Sequence, residues 1–326
     1  MIDLPDGLST RPMRPDDMAA IVELETAAEP VDDTGQHESA DDLTAWFVND
    51  LVDLDRDTRV VLDGDRLVGW ASAIAPPTFR DAYGVHLEGR VHPDWRGRGI
   101  GRSLLAWQLE RGTELHAERH PEAPARLTAT VYTTMPSLEA LARRAGMEPA
   151  RWFFHMERPL TDLPPRRSVD GVQLVPFSWD LDEAVRQAHN AAFTEHYGSS
   201  ERDVASWQVM FTGQPSFRPD LSVLAVSDGA VVGYALSYVS EATAAATGSR
   251  ESYFGQIGVV PAARGRGLSK AVIIEALHAA AAADCQTAGL EVDSENVTGA
   301  LGLYESLGFS THRTQVSWSR HLDPLT

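Results

Sequence analysis

The chain has 326 residues, 43% hydrophobic and 23% charged, which suits two ordinary domains, each with its own core. With 47 Asp and Glu against 28 Lys and Arg, its net charge of −19 excludes a nucleic-acid-coating surface, argues against docking on anionic membranes, and is compatible with a cationic substrate. A single cysteine, Cys285, excludes an intrachain disulfide; it follows an alanine run and reads as a packing residue in a protein of a reducing compartment.

From the N-terminus, MIDLPD has neither the basic start nor the apolar segment of a secretory leader, so a cytoplasmic protein is expected. A helix is predicted over residues 16–28 and a second helical stretch over 41–54. A hairpin follows, turning at Asp63-Gly64-Asp65, and then a strand ending at Val91. The loop Arg96-Gly97-Arg98-Gly99-Ile100-Gly101-Arg102 opens an amphipathic helix in which Ile100, Leu104, Trp107 and Leu115 share helical spacing. A strand over 126–132, a short helix and a last strand complete this half. The proline-containing stretch 159–171 reads as a connector. The expected boundaries are a first domain at 1–160, a linker at 161–171 and a second domain at 172–326.

The second half repeats the pattern: helices over 181–193 and 201–211, a hairpin turning at Asp228-Gly229, a strand ending at Val259, a loop-opened helix, and a strand over 289–292. Three blocks recur in the same order. VHPDWRGRGIG (residues 91–101) matches VVPAARGRGLS (259–269); DGDRLVGWA (63–71) matches SDGAVVGYA (227–235); LARRAGM (141–147) matches LYESLGF (303–309). The fold class is therefore α+β: two tandem domains, each a mixed sheet flanked by helices.

The duplicated loop carries the chemistry. Glycines let a backbone take positive φ and approach a ligand closely, and a helix start offers unpaired N–H groups and partial positive charge. Arg96, Arg98 and Arg102 in the first copy, and Arg264, Arg266 and Lys270 in the second, add cations to what reads as a pyrophosphate cradle. No Gly-Lys-Ser/Thr follows and the spacing is not Gly-x-Gly-x-x-Gly, so neither a nucleotide P-loop nor a dinucleotide fingerprint is present.

Arg-x-x-Gly-x-Gly/Ala after such a strand resembles the acyl-CoA signature of the GNAT acetyltransferase superfamily, and DSENVTGALGLYESLGF (293–309) resembles that family's second signature. The resemblance covers nearly the whole chain, once per half, like the tandem type to which mycothiol synthases belong. It implies mostly antiparallel sheets and transfer of an acetyl group from acetyl-CoA to a primary amine, without a metal.

The resemblance also implies site residues. Ile257 and Val259, with Gly89 and Val91 in the first copy, would pair with the pantetheine arm. Backbone amides of Arg264, Gly265, Arg266, Gly267, Leu268, Ser269 and Lys270 would hold the pyrophosphate, as would those of Arg96 to Arg102. Asn296 would touch the arm, Tyr304 would protonate the leaving thiolate, and the Val259 N–H would stabilise the oxyanion. Ser269 stands where the family has Gly or Ala, and Asn296 lies one residue further from Tyr304 than is commonest.

At the place of Tyr304 the first copy has Ala142, which implies that this copy binds CoA without catalysing. The base stays open among Gln256 (matching Glu88), Glu251, Glu195 and His196. The expected acceptor is a small-molecule amine, and the expected state a monomer or homodimer. A non-catalytic acyl-CoA sensor and a peptide or protein N-acetyltransferase are the alternatives.

Overall fold

The computed structural model describes residues 2–194, 200–295 and 299–325. It divides into two compact units: unit 1 is Met1–Trp152 with Gln315–Thr326, and unit 2 is Phe153–Thr314. No helix among the described residues is long and apolar enough to cross a membrane.

Unit 1 runs β1 (Leu8–Arg11), α1 (Met18–Asp32), α2 (Ala40–Phe47), α3 (Leu54–Asp57), β2 (Thr58–Asp63), β3 (Arg66–Ile74), β4 (Tyr83–Val91), α4 (Ile100–Arg119), β5 (Ala125–Tyr132) and α5 (Pro136–Arg144), ending in the first residues of β6 (Glu148–Pro159). Helix α2 starts at Ser39, where the Asp42 N–H donates to the Ser39 hydroxyl (3.1 Å) and the Ser39 N–H donates back to Asp42 (2.9 Å), a reciprocal cap. It stops at Phe47, short of the expected residue 54, and the Asn49 amide donates to the freed carbonyls of Ala45 and Trp46 (3.1 and 2.8 Å).

Unit 2 takes over within β6 and continues with β7 (Gln173–Pro176), α6 (Asp182–Ala192), α7 (Val204–Trp207), β8 (Val223–Ser227), β9 (Ala230–Tyr238), α8 (Glu241–Thr247), β10 (Glu251–Val259), α9 (Leu268–Ala282), β11 (Thr287–Asp293), α10 (Ala300–Ser306) and the start of β12 (Ser310–Leu322). The helix expected over 201–211 is the single turn α7 widened into a π turn over Gln208–Thr212, closed by the Gly213 N–H donating to Gln208 (2.8 Å). Helix α8 has no counterpart in the expected pattern; Ser240 caps its start and Gly248 at φ +71° ends it.

The two sheets have the same plan. In unit 1, β1 to β4 pair antiparallel in sequence, β4 and β5 pair parallel, and residues 315–322 of β12 pair antiparallel with β5. In unit 2, β7 to β10 pair antiparallel, β10 and β11 pair parallel, and residues 153–159 of β6 pair antiparallel with β11. Each unit's last strand thus comes from the half of the chain assigned by sequence to the other. The division falls at 152/153 and 314/315, not in a linker at 161–171. Nor is that stretch a free connector: Leu160, Leu163 and Val169 pack on the core of unit 2, the Arg166 guanidinium pairs with Glu275 (2.9 Å), and Arg266 donates to the Asp170 carbonyl (2.7 Å).

Strand alternation puts a core on each face of both sheets. In unit 1, Trp70 turns toward α1 and α2, meeting Phe47 edge-on at 5.6 Å, while Ala71 turns toward Ile100 and Leu104 of α4. In unit 2, Tyr234 and Leu236 face Val185 and Trp207, and Ala235 faces Leu268 and Val272 of α9. Each fully buried aliphatic side chain contributes about 1.5–3 kcal/mol. Anchoring α4 and α9 this way fixes the loops at their starts. Cys285 is buried, and burial pushes its thiol up, so it is a packing residue rather than a nucleophile.

Candidate active site

In both units a cleft opens where the parallel pair parts. In unit 2 the last parallel pair is Tyr253 with Gly289, yet β10 continues to Val259 against β9 alone. In unit 1 it is Leu87 with Ala129, and β4 continues to Val91 against β3. Successive N–H groups of a strand point to opposite edges. The N–H groups of Val260 and His92 donate to Val232 (3.0 Å) and Val68 (2.9 Å) on the paired side, so those of Val259 and Val91 face the cleft. Ile257, Val259, Gly89 and Val91 therefore lie on open strand edges.

At the end of each edge strand stands the glycine loop. Gly97, Gly99, Gly265 and Gly267 have φ of +76°, +96°, +78° and +79°, and Gly99 and Gly267 cap α4 and α9. A Cβ on Gly97 or Gly265 would meet nothing within 4 Å, so these glycines are required by backbone conformation and leave the loop's outer side open. A Cβ on Gly101 would make ordinary contacts, 3.5 Å to Leu141 and 3.9 Å to Val91, which is why Ser269 fits the same position in the other copy. The open helix start with cations beside it fits a pyrophosphate.

The arginines divide into two kinds. Arg96 and Arg264 face inward: their Nε groups donate to the carbonyls of Val91 (2.9 Å) and Val259 (3.4 Å), pinning loop to strand. Arg96 also grips both oxygens of Asp32 at 2.7 Å, and Arg264 donates to the Ala192 carbonyl (3.0 Å). These two are positioning residues. Arg102 and Lys270 are free of hydrogen bonds and ion pairs among the described residues, whereas Arg98 donates to the Asp94 carbonyl (2.9 Å). A further cation was not legible as part of the loop. The guanidinium of Arg167 lies 3.5 Å from where a Cβ of Gly267 would stand and makes no ion pair among the described residues. Its Pro-Pro-Arg-Arg context reads as linker, and only the packing of that segment onto unit 2 brings it to the cradle.

The candidate catalytic groups do not all converge. Tyr304, on α10, is 8% exposed and shares a core cluster with Val259 and Leu268. Burial pushes its hydroxyl up to about 12, and it makes no hydrogen bond among the described residues. Gln256 lies just beyond a bulge in β10, its side-chain oxygen accepting from the Tyr238 hydroxyl (2.8 Å). Glu251 stands at the other end of β10, about 25 Å from Val259 at about 3.3 Å per strand residue. There it joins His155 and Glu157, whose ligand atoms and its own lie within 4.8 Å of one another. Burial raises the Glu251 carboxyl, with His155 opposing and Glu157 reinforcing. This group does not serve the cleft. Glu195, His196 and Asn296 lie outside the described residues.

In unit 1 the place of Tyr304 is filled by Ala142, 1% exposed. The cleft there belongs to a cavity of about 2030 Å³ running from the glycine loop to α1 and α2. Along one wall a polar chain links pocket to loop. The Trp70 indole donates to Glu25 (2.6 Å), Glu25 pairs with Arg90 (2.9 Å), Arg90 donates to Asp32 (2.8 Å), and Asp32 accepts from Arg96. Burial would push Asp32 up, but the Arg96 and Arg90 guanidiniums outweigh it and hold the carboxyl below its usual range.

Comparison with known proteins agrees with this geometry. The Acetyltransferase (GNAT) family profile matches residues 18–129 and 183–309, one match in each half. The chain is 31% identical over 274 residues to a mycothiol acetyltransferase of Tsukamurella paurometabola (80% of this chain, 84% of the relative), and 34% identical over 261 residues to that of Streptomyces avermitilis (78% and 77%). Among solved structures, a GCN5-related N-acetyltransferase from Sphaerobacter thermophilus superposes with a TM-score of 0.75 at 25% identity, covering 99% of this chain and 98% of that one. A tandem GNAT protein from the clavulanic acid biosynthesis pathway gives 0.68 at 21% identity, covering 97% and 99%, and speaks to fold alone.

Proposed function

Because the chain belongs to the GNAT acetyltransferase family and is an acetyl-CoA-dependent acetyltransferase, we propose that it acetylates the primary amine of a small molecule by direct transfer, at the cleft of unit 2. The observation that carries this reading is Tyr304, packed with Val259 in unit 2, its hydroxyl held protonated by burial and without a hydrogen bond among the described residues, against Ala142 in unit 1. The mycothiol acetyltransferase relatives support a small acceptor, and they favour an enzyme over a sensor that never turns over.

Bound acetyl-CoA supplies an electrophilic thioester carbon. The free edge at Ile257 and Val259 would hold the pantetheine arm, and the loop amides from Arg264 to Lys270, with Arg167, would hold the phosphates. The N–H of Val259 points into the cleft and is the donor for charge developing on the acyl oxygen; one such donor is worth about 10²–10³ in rate. Tyr304, near 12, stays protonated at neutral pH. Net proton transfer to a thiolate of ordinary basicity, about 8.5, is uphill, so the hydroxyl acts by donating a hydrogen bond to the leaving sulfur as charge builds. Gln256 cannot accept a proton; held by Tyr238, it orients the water that does.

A panel of small primary amines, peptide N-termini and acetyl-CoA, followed by thiol release, tests the reading. Saturable turnover with a small amine is expected. Turnover confined to peptides would replace the acceptor class, and thiol release with no amine in the panel would overturn the proposal.

A further inference from the structure

Behind the open edge of unit 2 lies a buried polar pair that the proposed mechanism does not use. Tyr234 of β9 stands opposite Gly258 of β10 in the antiparallel register, one residue before Val259. Its hydroxyl and Nδ1 of His189, on α6, share a hydrogen bond of 2.8 Å. Tyr234 is 0% exposed and His189 3%, so whatever they do for the cleft they do through the strand and not by touching a ligand.

The ring of Tyr234 lies on the strand itself. A Cβ on Gly258 would come within 2.6 Å of its Cε1, Cζ and hydroxyl oxygen, so glycine is what lets the ring cross β10 there. His189 is held in turn. Its ring stacks on Phe193, with 4.4 Å between centroids and 18° between planes, and packs at 5.2 Å against both Trp207 and Phe211. The same helix is tied to the glycine loop, where Arg264 donates to the Ala192 carbonyl (3.0 Å) and to the Val259 carbonyl (3.4 Å). Gly258 and Val259 are thus braced from α6 twice, through Tyr234 and through Arg264.

We propose that Tyr234 and His189 are positioning residues for acetyl transfer: their hydrogen bond seats the phenol ring on Gly258 and so holds the Val259 N–H in line with the acyl oxygen. The inference rests on the assignment of catalysis to the cleft of unit 2. An oxyanion donor works where its geometry is fixed in advance, to within about 0.5 Å and 10–20°. Beyond Tyr253, β10 has β9 alone as a neighbour, so the ring and the arginine supply the restraint that β11 does not give there. Unit 1 shows the contrast. Trp70 stands opposite Arg90 in the same register and donates to Glu25 of α1 (2.6 Å), but Arg90 fills the place of Gly258 and pairs with Glu25 and Asp32. There ions join strand to helix, whereas in unit 2 a neutral ring lies on the strand just before the donor.

The pair shapes the reaction without exchanging protons with it. Burial holds the Tyr234 hydroxyl well above its ordinary range, so it stays protonated near neutral pH. Without the hydrogen bond the ring is free to shift on β10 and the Val259 N–H drifts from its aim. That loss falls on the transition state more than on acetyl-CoA binding, because the loop amides hold the phosphates independently. Complete loss of one oxyanion donor costs about 10²–10³ in rate, and misalignment costs a part of it, about tenfold.

Steady-state kinetics on the full chain, with acetyl-CoA and the fastest small amine of the panel and with melting temperatures alongside, test the proposal on Tyr234→Phe, His189→Leu, their double variant and His189→Asn. Each of Tyr234→Phe and His189→Leu strands one buried polar group. Both should lower the melting temperature and lower kcat about tenfold, with KM for acetyl-CoA within about threefold. The double variant strands neither group, so its melting temperature should return toward wild type while kcat stays about tenfold low. His189→Asn, whose amide reaches the place of Nδ1, should keep kcat within about threefold of wild type. Wild-type kcat in the double variant, kcat in His189→Asn as low as in His189→Leu, or a loss confined to KM would overturn the inference. Tyr304→Phe in the same assay separates the two claims. A slow Tyr304→Phe beside a double variant of wild-type kcat leaves catalysis in unit 2 and removes the role of the pair, whereas wild-type kcat in both removes unit 2 as the catalytic cleft. Should the double variant fail to fold, His189→Asn against His189→Leu decides alone.

Discussion

The two units use one strand order, one cleft and one glycine loop, yet they distribute polar groups in opposite ways. Unit 2 packs Tyr304 in the core cluster with Val259 and has an uncharged Gln256 on β10. Unit 1 puts buried Ala142 where the tyrosine stands and Glu88 where the glutamine stands, with Glu25, Glu38 and Asp32 around it. Duplication therefore preserved the strand order and the glycine loop while the polar groups around the cleft diverged.

The largest effect that would break this comparison concerns the scaffold itself. If each unit borrows its last strand from the other half of the chain, a fragment of residues 1–160 lacks β12, loses the burial of Trp318 and Val316, and leaves β5 as a bare edge. It should be unfolded or aggregated. Joining residues 311–326 to its end by a flexible linker should restore a cooperative melt. A well-folded 1–160 fragment would mean that the exchange contributes nothing to stability.

Next in size is the catalytic contrast. Tyr304→Phe should lower kcat by about 10² while changing the affinity for CoA less than threefold, because the hydroxyl is needed as charge builds on sulfur and not for binding. A variant with wild-type kcat would reduce Tyr304 to a packing residue, and the two units would then differ in no donor that has been identified.

The smallest expected effect sharpens the account of the loops. Arg167 is exposed, so its charge contributes less than about 1 kcal/mol, and Arg167→Ala should weaken CoA binding to unit 2 by about fivefold at low salt and less at high salt. Binding unchanged at low salt would show that the guanidinium points away from the phosphates in solution.

Much of this was legible in the sequence because it is local. Strand-to-loop-to-helix patterning located β4, α4, β10 and α9, and glycines at positive φ sit where the two Arg/Gly loops predicted them. What escaped the sequence is long-range. Nothing in residues 310–322 marks β12 as split between units, since both halves alternate as any strand does. The acidic pocket of unit 1 draws Glu25, Glu38 and Glu88 from a helix, a loop and a strand, and no spacing rule links them. Arg96 and Arg264 look like phosphate ligands in the motif but are spent on backbone carbonyls. Glu251 is on the right strand at the wrong end, a distinction that only the parallel register with β11 reveals.

The division of labour is tested most directly by a pair of loop variants, Gly99→Val and Gly267→Val, assayed for CoA stoichiometry and turnover together. Both glycines have positive φ, which a β-branched residue tolerates poorly, and each distorts one loop only. The account predicts two CoA per wild-type chain. Gly267→Val should retain one CoA and lose at least 100-fold in kcat/KM for acetyl-CoA, while Gly99→Val should also retain one CoA but keep most of its turnover, both with melting temperatures close to wild type. Loss of turnover in Gly99→Val while unit 2 still binds CoA, or full turnover in Gly267→Val, would contradict it.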